Sequence, residues 1–221
     1  MITFGFSAFL KLISSRAQPQ QTLVRNRLTA KGEKSYDFHR RMRLLAHKYL
    51  AGDITLDEAL LKIESIKAKN EKKAAKQALL KLAEWRAVEP GKIFTFKPAH
   101  FESPKKNFKV QFLPTFGIEI GGEKVAIHIW NTKLPDLDKH MTYAALSLFP
   151  AQFAAHEQKP DDLGVLSLPQ SKLYRLSDVG DYSEVGHRLV HRLDDLFEQV
   201  RYEAEKSGIP LKDQPPAPPP G

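Results

Sequence analysis

Two spacings divide the chain. Up to about residue 90, apolar residues recur every three or four positions, as in helices packed on one face. From Gly91 they recur at every second position, as strands require. The first helix is predicted from "MITFGFSAFLKLISSRA", where Phe6, Phe9, Leu10 and Ile13 fall at i, i+3, i+4 and i+7. No basic segment leads it and Lys11 interrupts its apolar run, so it is expected to dock on the core or on a protein partner rather than act as a targeting segment. "SSRAQPQQ" reads as a polar break. In "SYDFHRRMRLLAHKYLAGD", Phe38, Met42, Leu45 and Tyr49 share a helical face and Gly52 stands where a helix would close. Thr55 and Glu58 have the spacing of a capping box ahead of a stripe of Leu56, Leu60, Ile63 and Ile66. Asn70 is expected to interrupt the pattern before "EKKAAKQALLKLAEWRAV", a further helix closed by Pro90.

Beyond Gly91, "KIFTFKP" predicts a short strand and "SPKKN" a loop. "FKVQFLPTFGIEI" sets Phe108, Val110, Phe112, Phe116, Ile118 and Ile120 on one face. Gly121-Gly122 supplies a two-residue hairpin turn. With Ile120 opposite Glu123, Val125, Ile127 and Ile129 fall on the same side as the first apolar set, and Glu119 meets Lys124. A helix over "DLDKHMTYAALSLFPAQFAAH", strands at "LGVLSLP" and "KLYRLSD", and a long helix from Glu184 closed by Gly208 complete the pattern.

The expected fold class is α+β (or α/β). A helical region over residues 1–90 precedes a mixed sheet of about five strands flanked by helices over 91–208, and a proline-rich tail over 209–221 is expected to be disordered. That tail, like the first helix, is a candidate contact for a protein partner.

Composition changes this picture in three ways. The chain has no cysteine, which excludes disulfides, thiolate metal sites and a cysteine nucleophile, and suits a reducing cytoplasm. No apolar run reaches the ~18 residues of a membrane span. The net charge of +8 is unevenly spread: residues 1–90 hold 18 Lys and Arg against 9 Asp and Glu, while the remainder is nearly neutral. Such asymmetry points to a polyanion, DNA or RNA, as partner. Arg40, Arg41 and Arg43 in "FHRRMR", and Lys72, Lys73 and Lys76 on the next long helix, are the candidate phosphate contacts.

The order helix, strand, hairpin, helix, strand, with Pro114-Thr115 sixteen residues ahead of Asn131-Thr132-Lys133, resembles the PD-(D/E)XK nuclease-like superfamily. The resemblance covers about two-fifths of the chain, from Gly91 to Leu176. It implies a helix–three-strand–helix–strand core with an Asp on the second strand and Glu-x-Lys on the third, the carboxylates holding a metal and the Lys assisting an attacking water. Thr115 and Asn131 stand where the two acids would be, and Lys133 alone is retained. A hard cation needs anionic oxygen ligands, so the resemblance implies a degenerate catalytic site and no metal. The hairpin register sets Thr115 on the face opposite Asn131 and Lys133, and a bulge near Gly117 would be needed to unite them.

Acids from elsewhere, Asp136, Asp138 or Glu102, could rebuild a site. His187 and His191, four apart with Asp194 and Asp195 one turn on, have zinc-compatible spacing but read better as a solvated helix face. His128 and Trp130 share a less apolar hairpin face, which a packing helix would ordinarily cover; left open, they are candidates for base stacking. No cofactor is implied, since no glycine-rich phosphate loop occurs. The leading expectation is a non-catalytic nucleic-acid-associated protein with a degenerate nuclease-like core. The competing ones are a protein–protein adaptor or inhibitor, and a metal-dependent nuclease with relocated acids.

Overall fold

A computed structural model describes residues 1–29 and 38–212. It begins with a strand that periodicity does not reveal, β1 (Ile2–Gly5), followed by α1 (Phe6–Ile13) and α2 (Ala17–Thr29). The expected polar break over "SSRAQPQQ" shrinks to Ser14–Arg16, because Pro19 lies in the first turn of α2, where no backbone N–H is required of it. Helices α3 (Arg40–Ala51), α4 (Leu56–Glu64) and α5 (Lys69–Val88) follow. Gly52 closes α3 with φ 82°, and the capping box forms: Glu58 N–H donates to Thr55 Oγ1 at 3.2 Å and Thr55 N–H to Glu58 Oε2 at 2.7 Å. The break between α4 and α5 falls at residues 65–68, and Asn70 sits inside the first turn of α5 rather than interrupting it.

Among the described residues, eight strands form two sheets. Strands β2 (Ile93–Phe94), β5 (Phe116–Ile120), β6 (Glu123–Trp130), β7 (Asp162–Ser167) and β8 (Lys172–Arg175) make a five-stranded mixed sheet in the order β2-β5-β6-β7-β8. A second sheet has the order β1-β4-β3, with β3 (Ala99–Glu102) antiparallel and β1 parallel to β4 (Phe108–Phe112). The β5–β6 hairpin has the expected register, Ile120 opposite Glu123 and Glu119 opposite Lys124, around Gly121 (φ 60°) and Gly122 (φ 86°). Positive φ at both turn residues is what such a tight hairpin demands.

"FKVQFLPTFGIEI" is not one face of one strand. It breaks at Leu113–Thr115, where Pro114 offers no N–H to a ladder, and its halves join different sheets. Phe108, Val110 and Phe112 enter one core while Phe116 and Ile118 enter another. The bulge considered at Gly117 is absent: Gly117 pairs in register with Ala126, and its missing side chain makes room for Phe96, whose ring carbon lies 2.3 Å from where a Cβ would be.

The five-stranded sheet is sandwiched. Helices α3, α4 and α5 cover one face through Met42, Ile63, Leu79 and Leu82. The other face meets α1, the small sheet, α6 (Lys139–Leu146), α7 (Pro150–Ala154) and α8 (Ser183–Lys206). The α6–α7 segment carries the crossover between parallel β6 and β7. Packing does not stop at residue 90, where the apolar period changes: Phe4, Phe9, Leu10, Val24 and Leu28 share a core with Phe108 and Phe197. Nor does it stop at 208, since Leu211 is buried and Lys212 N–H donates to Leu28 O at 2.9 Å. The rest of the proline-rich tail lies outside the described residues.

One buried acid ties the small sheet to α8. Asp194, fully buried, accepts from Ser103 Oγ (2.8 Å), Lys105 N–H (3.1 Å) and Asn107 Nδ2 (3.1 Å), fixing the β3–β4 turn. Asp194→Ala strands these donors and is expected to cost about 3 kcal/mol in urea unfolding, with Asp194→Asn costing less. At the α4 cap, the backbone and side-chain hydrogen bonds of Thr55 hold the Glu58 carboxyl below the usual carboxylate range. Its contribution is complete above the unfolded-state pKa and is lost as pH falls through the lower folded value. The stability difference between the native chain and Glu58→Ala is therefore expected to shrink as unfolding is repeated below pH ~4.

Candidate functional site

Strand β6 leaves the sheet at Asn131, and there the molecule opens a groove of about 960 Å³. Its floor is Asn131, Thr132 and Lys133; Leu134 and Asp136 continue along the rim. Helix α5 forms one wall with Ala74, Gln77, Leu80 and Lys81. Phe38 and His39, just ahead of α3, and Pro169, just beyond β7, close the remainder. The groove thus lies beyond the carboxyl ends of the parallel pair β6 and β7, where α/β sheets leave side chains and loops uncovered.

The local chemistry follows from these elements. Lys81 reaches across from α5 and donates to Leu168 O (2.9 Å) and Pro169 O (3.1 Å), compensating the exposed carbonyl end of β7. Asn131 Nδ2 lies 3.5 Å from His39 Nδ1, and the His39 ring stands edge-on to Phe38 at 4.9 Å. Lys133 is exposed and has no hydrogen-bond or ion-pair partner among the described residues. Among the described residues of the lining, Asp136 is the sole carboxylate, against two ammonium groups.

Of the residues suggested by the nuclease resemblance, Asn131 and Lys133 meet in this groove and Thr115 does not. Thr115 is buried; its N–H donates to Ile127 O at 2.7 Å and its hydroxyl accepts from Ile129 N–H at 3.1 Å. Its side chain supplies the acceptor that the ladder lacks once β5 gives way to Pro114. The reassigned acids are no better gathered. Asp138 caps α6 through Met141 N–H (2.9 Å), and Glu102 lies in the other sheet, 3.7 Å from Lys109. Among the described residues no group of three or more His, Asp or Glu is close enough to hold a metal. The groove's polar set among the described residues comprises the carboxamides of Asn131 and Gln77, the His39 imidazole, the Thr132 hydroxyl, two ammonium groups and one carboxylate, and does not fit a hard divalent cation.

His128 and Trp130 are not a stacking surface. Both are buried: His128 contacts Ser7 Oγ at 2.6 Å and Leu113 O at 3.3 Å, and Trp130 is 1% exposed within the core. The face they occupy is covered by α1, which docks on the core through Phe6, Phe9 and Leu10 and so presents no apolar stripe to a partner. On α8, His187 and His191 are exposed while Asp194 turns inward and Asp195 pairs with Lys105 at 2.9 Å, so these four do not converge. Among the basic candidates, Arg40, Arg41 and Lys73 are exposed and Arg43 is half-buried. Lys72 and Lys76 lie 3.4 and 3.7 Å from Glu64, so part of their charge is already answered.

Sequence reasoning missed His39, Gln77 and Lys81. Gln77 and Lys81 stand four apart on α5, and that spacing alone marks a shared face without saying what it meets.

A site residue and a structural one respond differently to substitution at position 115. Thr115→Val keeps the shape but leaves Ile129 N–H without its acceptor, and a loss of about 1–3 kcal/mol in chemical unfolding is expected. No change of ligand binding at the groove should accompany it.

No protein-family model matches this chain, and no significant match to a curated protein was found. Among the described residues no helix is long and apolar enough to cross a membrane.

Proposed function

We propose that this chain is a non-catalytic nucleic-acid-associated protein with a degenerate nuclease-like core. The observation that carries the reading is the charge character of the groove: where the PD-(D/E)XK resemblance expects paired carboxylates beside a lysine, Asn131 accompanies Lys133, with Lys81 opposite. The element order supports the same reading. Helix α5 precedes β2, β5 and β6, adjacent in one sheet, and α6 then leads to β7 parallel to β6. The small-sheet strands β3 and β4 stand as an insertion between the first and second strands of that set.

The chemistry left to such a site is recognition. A lone lysine does not generate a nucleophile from water without a metal or a base. An ammonium group can still neutralise a phosphate, and cationic helices extend that field beyond the groove. Arg40 and Arg41 on α3 and Lys73 on α5 are among the exposed cations of the helices that cover one face of the sheet. The absence of cysteine fits a cytoplasmic setting for this role.

The adaptor alternative loses one of its surfaces, because α1 is spent on the core. The test is fluorescence anisotropy with labelled DNA and RNA across a salt series. The expected result is affinity that falls steeply with salt, with the log–log slope reduced by about one for each of Arg40→Ala and Arg41→Ala that removes a phosphate contact. Affinity that is independent of salt, or magnesium- or manganese-dependent cleavage lost in Lys133→Ala, would overturn this reading.

A further inference from the structure

The groove has a second property that charge alone does not explain: it pairs its cations with apolar walls and amide groups. Leu80 is 40% and Leu134 76% exposed, and both line this same concavity together with Phe38. Single exposed leucines are ordinary on a protein surface, but three apolar side chains lining one concavity offer a flat apolar body somewhere to bind. At its floor the carboxamide of Asn131, with Gln77 on the α5 wall, offers both donors and acceptors. Lys133 is exposed beside Asn131, and Lys81 has two of its three donors engaged by carbonyls.

Resting on the nucleic-acid reading above, we infer that the groove takes one unpaired nucleotide, its base between Phe38 and the leucines and its phosphate at Lys133. The volume of about 960 Å³ is at the upper end of single small-ligand sites and is ample for a nucleoside phosphate. A base in an intact duplex is stacked and paired and cannot enter a concavity, whereas an unpaired base can. The binding needs no divalent cation: Lys133 and Lys81 supply the positive charge, and among the described lining residues the one acid, Asp136, is too few for a metal. The shared chemistry, a nucleoside phosphate, could come from a free mononucleotide or from an unpaired position in a strand. Charge favours the strand, because the excess of 18 Lys and Arg over 9 Asp and Glu in residues 1–90 exceeds what one phosphate needs.

The experiment measures anisotropy of a fluorescein-labelled oligo-dT and of a duplex of equal length, in EDTA, with adenosine monophosphate, inorganic phosphate and poly-glutamate as competitors. The expected results are tighter binding of the single strand, competition by the monophosphate at concentrations where inorganic phosphate has none, and Kd raised about tenfold by Lys133→Ala. Ala74→Leu, which fills the α5 wall, should abolish competition by the monophosphate. Thermal melts of both variants check the fold, and Lys133→Ala, at an exposed position beyond the strand, keeps the test informative if Ala74→Leu unfolds.

Equal binding of strand and duplex, unchanged in both variants, would refute the groove assignment while leaving the nucleic-acid reading intact. Monophosphate binding sensitive to Lys133→Ala without any oligonucleotide binding would sustain the groove and overturn the nucleic-acid reading. Displacement of the strand by poly-glutamate as readily as by oligo-dT would overturn the base-binding claim in favour of an acidic polypeptide. Absence of all binding would overturn both.

Discussion

Everything in this fold is referred to a strand with no free side. β6 is paired on both edges, by β5 and β7, and covered on both faces. Its alternate residues feed separate cores: Val125, Ile127 and Ile129 meet the helices α3–α5, while Ala126 and Trp130 meet α1, α6 and the small sheet. Because side chains alternate at a period of two, a slip of one residue would exchange the two sets and set His128 against the helical layer. The Gly121-Gly122 turn holds the register, with Glu119 opposite Lys124, so a two-residue turn fixes which residues reach either core. It also fixes where the strand runs out of cover, at Asn131.

That constraint accounts for what the sequence discloses. The hairpin was legible because its information is local: two adjacent glycines, an opposite-charge pair and matched alternation, all within fifteen residues from Phe116 to Trp130. The α4 cap and the closing Gly52 were legible for the same reason. What failed was non-local. β1 is four residues long and gains its pairing from β4, more than 100 positions away, and nothing in "ITFG" announces that partner. The cover over His128 and Trp130 comes from Phe6 and its neighbours, joined to the hairpin by the Ser7–His128 contact, and the hairpin by itself does not say which helix supplies it. A hydroxyl and an imidazole 121 residues apart leave no periodic trace.

The groove divides the same way. Asn131 and Lys133 are adjacent to a strand whose end is visible in the sequence, so they were found. His39, Gln77 and Lys81 arrive from helices that precede the sheet, and their convergence depends on how α3 and α5 lie across it. Thr115 is set apart from Asn131 and Lys133 already by the hairpin register, which puts it on the opposite face; the hydrogen bond from Ile129 N–H shows what its hydroxyl does instead.

On the proposed reading, losing the acids is itself a condition for the binding that remains. Two carboxylates beside a phosphate repel it unless a metal lies between them. At ~4 Å and an effective dielectric near 20, each such pair of unit charges is worth about 4 kcal/mol before screening. Replacing an acid by the neutral amide of Asn131 removes that repulsion together with the metal's reason to bind. Lys133 can then face the phosphate directly, and Lys81 can be held by the carbonyls of Leu168 and Pro169 rather than by a carboxylate. An intact catalytic site and a metal-free phosphate site thus make opposite demands on position 131, and asparagine satisfies the second.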